Sequence, residues 1–524
     1  MNPTMSIDPT VQRVRRQTLI DLLQRTRRRV PEKVAIVYEG KEYTYEQLTF
    51  LVNQTAHTFV SGGMKKGDRV AIMSKNSLDF VVAQYALASI GAVMVPINYM
   101  LTVTDVRYIL QHAKVNTVLG STEYAPVLDV SSAEIAVANR YLLDTETERE
   151  GWLTLDVLRK DQPSTLVEAL IEDDDLAQVL YTSGTESRPK GVMLTHKSLI
   201  SEYVSVIIKG KMEPHDVMIH ALPLYHCAQL HVFLGPSIYL GCTNIILGAP
   251  KPEAIFDAIE EGGATQLFCP PTVWIALLRH PEFASRDLVA LEKCYYGAAS
   301  MPREVLKELS NRLPNARFWN FYGQTEVAPL ATALQPEDQL NKLGSAGVAS
   351  LNVETRIVNE NDEEVARGEV GEIVHRTPHA MTGYLDDPEK TAEAFKGGWF
   401  HSGDLGFMDE EGYLTIVDRK KDMINTGGVN VSSREVEETL YELEGVSEVA
   451  VIGTPDAYWI EAVTALVVVK PESDLQEEAI SQFCRERLSK FKIPKQIKVV
   501  PSLPKNPSGK VLKRTLRDEY SNEL

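Results

Sequence analysis

The residues best suited to chemistry stand first in one loop, Tyr181-Thr-Ser-Gly-Thr-Glu-Ser-Arg-Pro-Lys-Gly191. It follows Leu176 to Leu180, a continuous apolar run that predicts a strand. Small hydroxyl residues and glycines let a backbone come close to an anion and turn its N–H groups toward it. Thr182, Ser183 and Thr185 add hydroxyl donors around Gly184, and Lys190 adds a positive charge. The chemistry on offer is phosphate binding, although a plain surface turn has the same composition. The Walker spacing G-x-x-x-x-G-K-[ST] is absent from the chain.

A second segment, Phe321-Tyr-Gly-Gln-Thr-Glu326, offers complementary groups. The ring of Tyr322 can stack on a purine. Thr325 can donate to an α-phosphate oxygen. Glu326 is tolerable beside that phosphate if it holds Mg²⁺. The same Thr and Glu also read as a helix cap. Between Arg485 and Arg514 there are ten Lys or Arg and one acid, Glu486. Such a tail suits a small anionic ligand, and equally a solvated surface.

Taken together with Leu222-Pro-Leu-Tyr-His-Cys227, His401-Ser-Gly-Asp-Leu-Gly406, Asp418-Arg-Lys-Lys-Asp-Met-Ile424 and Pro504-Lys-Asn-Pro-Ser-Gly-Lys510, these segments stand in a fixed order. The series resembles the adenylate-forming (ANL) superfamily of acyl-CoA synthetases, luciferases and peptide-synthetase adenylation domains. Within it the chain is similar to bacterial medium- and long-chain fatty-acid–CoA ligases. Glu186 and Ser187 depart from the family's usual Thr and Gly, and a carboxylate there is unfavourable beside triphosphate if it points inward.

The resemblance implies an AMP-forming acid–thiol ligase. A carboxylic acid, ATP and Mg²⁺ would give acyl-AMP, and coenzyme A would take the acyl group. Nucleotide contacts would come from Thr182, Ser183, Gly184, Thr185, Lys190, Gly297, Ala298, Ala299, Tyr322, Gly323, Thr325, Asp404, Arg419, Gly427, Gly428 and Lys510. Asp404 would accept both ribose hydroxyls, against an alternative as an Asx turn. Arg419 would meet ribose or phosphate oxygens. Lys510 would bridge the carboxylate and the α-phosphate, and Glu326 would hold the metal. His226, with Thr325, Glu326 and Lys510, completes the implied catalytic set, as a gate and orienter rather than a base. The acyl pocket would use Tyr225, His226, Cys227, Gln229, Phe268, Trp274, Gly297 and Ser300. No carboxylate in 222–231 could hold an α-ammonium group, so amino acids are not expected substrates. Lys421 maps to a hinge that would swing Lys510 out and the Gly427-Gly428 loop in. An acyl-AMP ligase loading a carrier protein, an aryl-acid–CoA ligase and an inactive nucleotide-binding homologue remain alternatives.

These groups need a scaffold, and the sequence outlines one. Strand-like Val34–Tyr38, Arg69–Met73 and Ala92–Ile97 alternate with helix-period Tyr45–Val60 and Leu78–Ile90, a rhythm that implies parallel sheets covered by helices. Near 354–411, Val, Ile and Thr alternate with polar residues between recurrent glycines, which favours a small antiparallel β unit. Five consecutive charges, Asp418 to Asp422, are expected outside the core as a linker. Beyond them a helix from about Ser433, strands Glu448–Ile452 and Ala465–Val469, and a helix over Leu475–Lys490 are expected. The fold class is α/β. A large N-terminal domain of two parallel-type α/β subdomains plus a small β-barrel (1–418) would precede a small mobile α+β C-terminal domain (419–524).

Composition sets the remaining limits. The 524 residues carry 54 Lys plus Arg against 72 Asp plus Glu, a net charge of −18. Such a field repels polyanions, so nucleic acid is not an expected partner. The five cysteines form no C-x-x-C pair, as in a reduced cytoplasmic chain. The start of the chain has no secretory h-region. His231 to Ala249, broken by Gly235, Pro236 and Gly241, reads as buried strands and turns rather than a membrane span. Arg13 to Arg29 holds seven arginines with Leu19, Ile20, Leu22 and Leu23 between them. That pattern fits a packed helix with a wet face and leaves room for peripheral contact with anionic lipid. A homodimer is also compatible with the sequence.

Overall fold

In the helix Leu78–Ile90 all thirteen residues are buried. A helix apolar on every side belongs inside a molecule. Ser77 caps it by accepting the Phe80 N–H, and Gly91 at φ +73° ends it. It packs against helices Leu19–Arg29 and Tyr45–Ser61 and strand Val93–Pro96. Strands Val34–Tyr38 and Arg69–Met73 also form where the alternation placed them. The computed structural model describes residues 9–182, 189–299, 301–427, 429–456, 458–506 and 509–520. Ser183, Gly184, Thr185, Glu186, Ser187, Ser300 and Gly428 lie outside the described residues.

By compactness the chain divides into two units. One comprises Met1–Ala249, Thr325–Pro329 and Pro378–Thr391, the other Pro250–Gln324, Leu330–Thr377 and Ala392–Leu524. In the first, one sheet runs in the order Gly383–Tyr384, Lys190–Thr195, Leu176–Thr182, Val93–Pro96, Arg69–Met73, Thr117–Ser121, Asn139–Leu143, Leu153–Thr154. Pairing is parallel from Leu176–Thr182 onward and antiparallel at the Lys190–Thr195 edge. Val217–His220, Thr243–Ile246 and Val34–Tyr38 form a second parallel run.

In the second unit, parallel strands Gln266–Phe268, Lys293–Gly297 and Arg317–Gly323 continue into an antiparallel stretch. That stretch runs Leu330–Leu334, Ser345–Ala349, Leu414–Arg419, Phe400–Met408, Gly371–Arg376, Glu354–Val358, which is the antiparallel region expected near 354–411. Residues 424–499 build a further sheet. Helices Ser433–Tyr441 and Glu477–Arg487 pack on it around Val436, Val451, Val463, Val467 and Ile480.

Two expectations change. The window from His231 is not strand and turn at its start. Ala228–Leu234 is a π-helix running into the α-helix Gly235–Leu240, and only Thr243–Ile246 is strand. Gly235 fits there because an added Cβ would meet the Tyr203 ring at 2.2 Å. Asp418 is buried, contrary to the expectation that the charged run lies outside the core. Its carboxylate accepts the backbone N–H and the hydroxyl of Ser433 at 2.7 and 2.8 Å, which compensates its burial. Leu19, Ile20, Leu22 and Leu23 are buried in helix Leu19–Arg29, which agrees with the expected packed helix. Among the described residues no helix is long and apolar enough to cross a membrane.

Candidate active site

Two neighbouring parallel strands, Lys293–Gly297 and Arg317–Gly323, end together in the second unit, with Gly297 opposite Phe321. Ligands in open α/β sheets bind beyond the carboxyl ends of such strands. A Cβ on Gly297 would stand 2.3 Å from the Phe321 carbonyl oxygen, so the close strand approach needs glycine. Ala298 follows at φ +63°, a conformation that disfavours a side chain, and Ala298 and Ala299 are exposed.

Asp404, on strand Phe400–Met408, is buried and draws three donors to its carboxylate. The Tyr322 hydroxyl and the Gln324 amide donate to Oδ2 at 2.7 and 3.0 Å. Arg419 Nε lies 3.4 Å from Oδ1. This arrangement suits a carboxylate that accepts paired hydroxyls while a guanidinium faces a neighbouring oxyanion.

Lys510 joins the same group. Its loop is closed by Asn506, whose main-chain N–H donates to the Lys510 carbonyl and whose side-chain oxygen accepts the Lys510 N–H, both at 2.9 Å. Gly509, at φ +80°, accepts the Thr272 hydroxyl at 2.6 Å. A Cβ there would meet Thr272 Oγ1 at 2.6 Å and Pro270 Cγ at 2.8 Å. Desolvation, followed by the Arg419 guanidinium, lowers the Lys510 ammonium to about 7, against the pull of Asp404 and Asp422. A cation held beside another cation is poised to receive anionic oxygens. Lys421 stands in the turn after Arg419, and the adjacent Asp422 is bridged by Arg517 at 2.7 Å.

In the first unit, Thr182 ends strand Leu176–Thr182 and Lys190 begins the next. Lys190 Nζ lies 4.7 Å from the centre of the Tyr384 ring. Thr325–Val327 forms a 3₁₀ turn, and Glu326 Oε1 accepts the Tyr384 hydroxyl at 3.0 Å. His226 follows strand Val217–His220. Its Nδ1 accepts the Ala228 N–H at 3.2 Å, so the neutral ring carries its proton on Nε2.

The AMP-binding enzyme family matches residues 23–385, and the AMP-binding enzyme C-terminal domain matches residues 435–510. A feruloyl-CoA synthase of an Amycolatopsis species is 35% identical over 496 residues, covering 95% of this chain and 98% of that protein. A long-chain-fatty-acid–CoA ligase of Mycobacterium tuberculosis is 35% identical over 486 residues, covering 91% and 93%. The crystal structure of ATP-bound MatB from Rhodopseudomonas palustris superposes with a TM-score of 0.88 at 30% identity, covering 97% and 100%. The chain belongs to the AMP-binding enzyme family.

As a member, this AMP-binding enzyme is an adenylate-forming ligase of the acyl- or aryl-CoA class. Its donor set fits a divalent cation. Mg²⁺ on a nucleotide takes one or two carboxylates beside the phosphate oxygens, and Glu326 has a carboxylate to offer, its Oε1 accepting the Tyr384 hydroxyl.

The AMP-binding enzyme buries most of the side chains assigned to the acyl pocket. Tyr225, Cys227 and Gln229 lie in the interior of the first unit, and Phe268 and Trp274 in that of the second. The Gln229 amide meets His220 Nδ1 at 2.7 Å, and the Trp274 indole donates to the Tyr295 carbonyl at 3.2 Å. Burial pushes the Cys227 thiol well up and His220 down to about 4, so both are neutral at ordinary pH.

Two residues of the AMP-binding enzyme escaped the sequence reading. The Asn76 amide donates to the carbonyls of His220, Leu222 and Leu247 at 3.2, 2.8 and 3.0 Å, and its oxygen accepts the Leu224 N–H at 2.7 Å. It therefore sets the path of the chain toward His226. Tyr384 orients Glu326. Both act on residues far along the chain, a relation that neither motif nor periodicity encodes.

Proposed function

We propose that the enzyme activates a hydrophobic carboxylic acid, a fatty acid in the first instance, as acyl-AMP with release of pyrophosphate and then passes the acyl group to coenzyme A. The observation that supports this most is the placement of Lys510 beside Arg419 and Asp404 by a glycine-dependent loop. In the first half-reaction a carboxylate oxygen attacks the α-phosphorus in line. The new P–O bond forms as the bond to the β-phosphate bridging oxygen breaks, and pyrophosphate leaves. Lys510 stands between two anions that repel each other and stabilises the charge that builds on the five-coordinate phosphorus. Asp404 takes the ribose hydroxyls, Tyr322 the purine face, Gly297 to Ala299 the adenine edge, and Thr325 an α-phosphate oxygen. Glu326 would hold a Mg²⁺ ion, which would supply charge neutralisation to the phosphates.

In the second half-reaction the CoA sulfur attacks the acyl carbonyl, AMP departs with the C–O bond pair, and the thiol proton passes to solvent. His226, as an Nε2–H donor, orients the carboxyl group at the pocket mouth. Backbone rotation at Lys421 exchanges Lys510 for the Gly427-Gly428 loop between the two steps. The cytoplasm is the expected compartment.

The similarity to a feruloyl-CoA synthase favours a second reading, in which the acid is aromatic. Pyrophosphate release and CoA-thioester formation, screened over straight-chain acids of graded length and phenylpropenoic acids, decides between them. Turnover confined to the aryl acids overturns the fatty-acid reading. Adenylation without thioester on free CoA overturns the CoA-ligase reading in favour of a carrier-loading enzyme.

A further inference from the structure

The segment Pro378–Thr391 leaves its sequence neighbours to join the first unit, and its bonds converge on one place. The Met381 N–H donates to the main-chain oxygen of Glu326 at 2.7 Å. His379, whose imidazole is buried and lowered to about 4, donates from Nδ1 to the Val327 carbonyl at 2.6 Å. The Tyr384 hydroxyl reaches the Glu326 carboxylate. Alternate partners along the segment thus fix both the backbone and the side chain of the 3₁₀ turn.

The segment is itself held by the strand that begins at Lys190. Gly383 pairs with Met193 and Tyr384 with Val192. The Thr382 N–H donates to the Met193 carbonyl at 3.0 Å and the Leu385 N–H to the Gly191 carbonyl at 2.8 Å. The Tyr384 N–H is taken by the Thr391 hydroxyl at 2.9 Å. Tyr384 is buried, with the Lys190 ammonium over its ring face and its hydroxyl on Glu326. One side chain therefore touches both the lysine that closes the phosphate loop and the carboxylate of the Thr325-Glu326 turn.

We infer that Tyr384 is a positioning residue that orients Glu326 toward the metal ion carried by ATP and keeps that carboxylate in register with Lys190. The inference rests on the reading of Glu326 as the metal ligand. A phenol suits the task because it is a neutral donor: it fixes one carboxylate oxygen without placing a positive charge where the cation must bind. The ammonium over the ring polarises the phenol and strengthens its O–H as a donor. Partners that orient a metal-binding carboxylate typically govern roughly ten- to a hundredfold in metal affinity.

The test compares the full-length enzyme with Tyr384→Phe, which keeps the ring under Lys190 and removes only the hydroxyl, and with Glu326→Gln. ATP affinity is measured by calorimetry in Mg²⁺ and in EDTA, and pyrophosphate release is titrated with Mg²⁺. Tyr384→Phe is expected to weaken ATP binding in Mg²⁺ and raise the half-saturating Mg²⁺ by roughly tenfold or more, with ATP affinity in EDTA and KM for the acid within about twofold of wild type. Added to Glu326→Gln, it is expected to change nothing further. If Glu326→Gln abolishes the Mg²⁺-dependent gain in ATP affinity while Tyr384→Phe titrates as wild type, or loses affinity equally in EDTA, the inference on Tyr384 fails alone. If Glu326→Gln retains the gain, the metal-ligand reading fails and the inference falls with it.

Discussion

Lys510 is the residue at which geometry and charge meet. Its ammonium titrates near 7 because desolvation and Arg419 favour the neutral amine. The sign of the pH effect follows from that. Below about 7 the charged form predominates in the empty site, and above it the amine does. The kcat/KM of pyrophosphate release for ATP is therefore expected to fall as pH rises through this value, since that ratio reports free-enzyme ionisations. Lys510→Arg, whose side chain keeps its proton, is expected to move this limb out of the accessible range. Lys510→Ala is expected to slow adenylation roughly a hundred- to a thousandfold and to leave thioester formation from supplied acyl-AMP largely intact. Equal losses in the two half-reactions would contradict a role confined to the first. Asp404→Asn, which removes the negative charge facing Arg419 and turns one of the two acceptor oxygens into an N–H donor, is expected to raise KM for ATP about tenfold or more, read in the same assay. Residues were legible as candidates where they stand in tight motifs, as Tyr322, Asp404 and Lys510 do, because the residue types and their spacing themselves suggest a chemistry. Asn76 and Tyr384 were not legible, because neither stands in one of those motifs and each acts only through hydrogen bonds to groups more than fifty residues away in sequence.

Elements were legible where periodicity matched burial. The alternating segments around Leu78–Ile90 formed as strand and helix because their hydrophobic spacing had one consistent solution. The stretch from Ala228 was not legible. A short apolar run fits a buried helix and a buried strand alike, and it is the packing of Gly235 on Tyr203 that goes with the helix. Charge misled in the same way at Asp418, since sequence cannot show that Ser433 will donate twice to a buried carboxylate. At the strand ends, Gly297→Ala is expected to destabilise the enzyme by about 1–3 kcal/mol, because the added carbon must displace the Phe321 carbonyl rather than a flexible side chain. The shift in denaturant midpoint at unchanged m-value checks it.

At the scale of the molecule, the described residues after the Asp418–Asp422 run include a sheet, three helices and two apolar clusters drawn wholly from 424–520. A fragment of residues 419–524 is therefore expected to fold alone, with dispersed amide resonances and a cooperative melt, and a featureless spectrum would refute an independent C-terminal domain. The order of motifs between residues 181 and 510 made the class of enzyme legible, whereas the identity of the acid was not, since apolar side chains such as Phe268 and Trp274 look the same in a core as beside a ligand. The five cysteines are all buried and none is in a disulfide. An Ellman-type reagent added to the native enzyme thus meets almost no protein sulfur, so consumption of coenzyme A can be followed by colour against a quiet background. A single dye attached through an engineered surface cysteine on the Lys510 loop would be the chain's one label, able to report whether that loop moves during turnover.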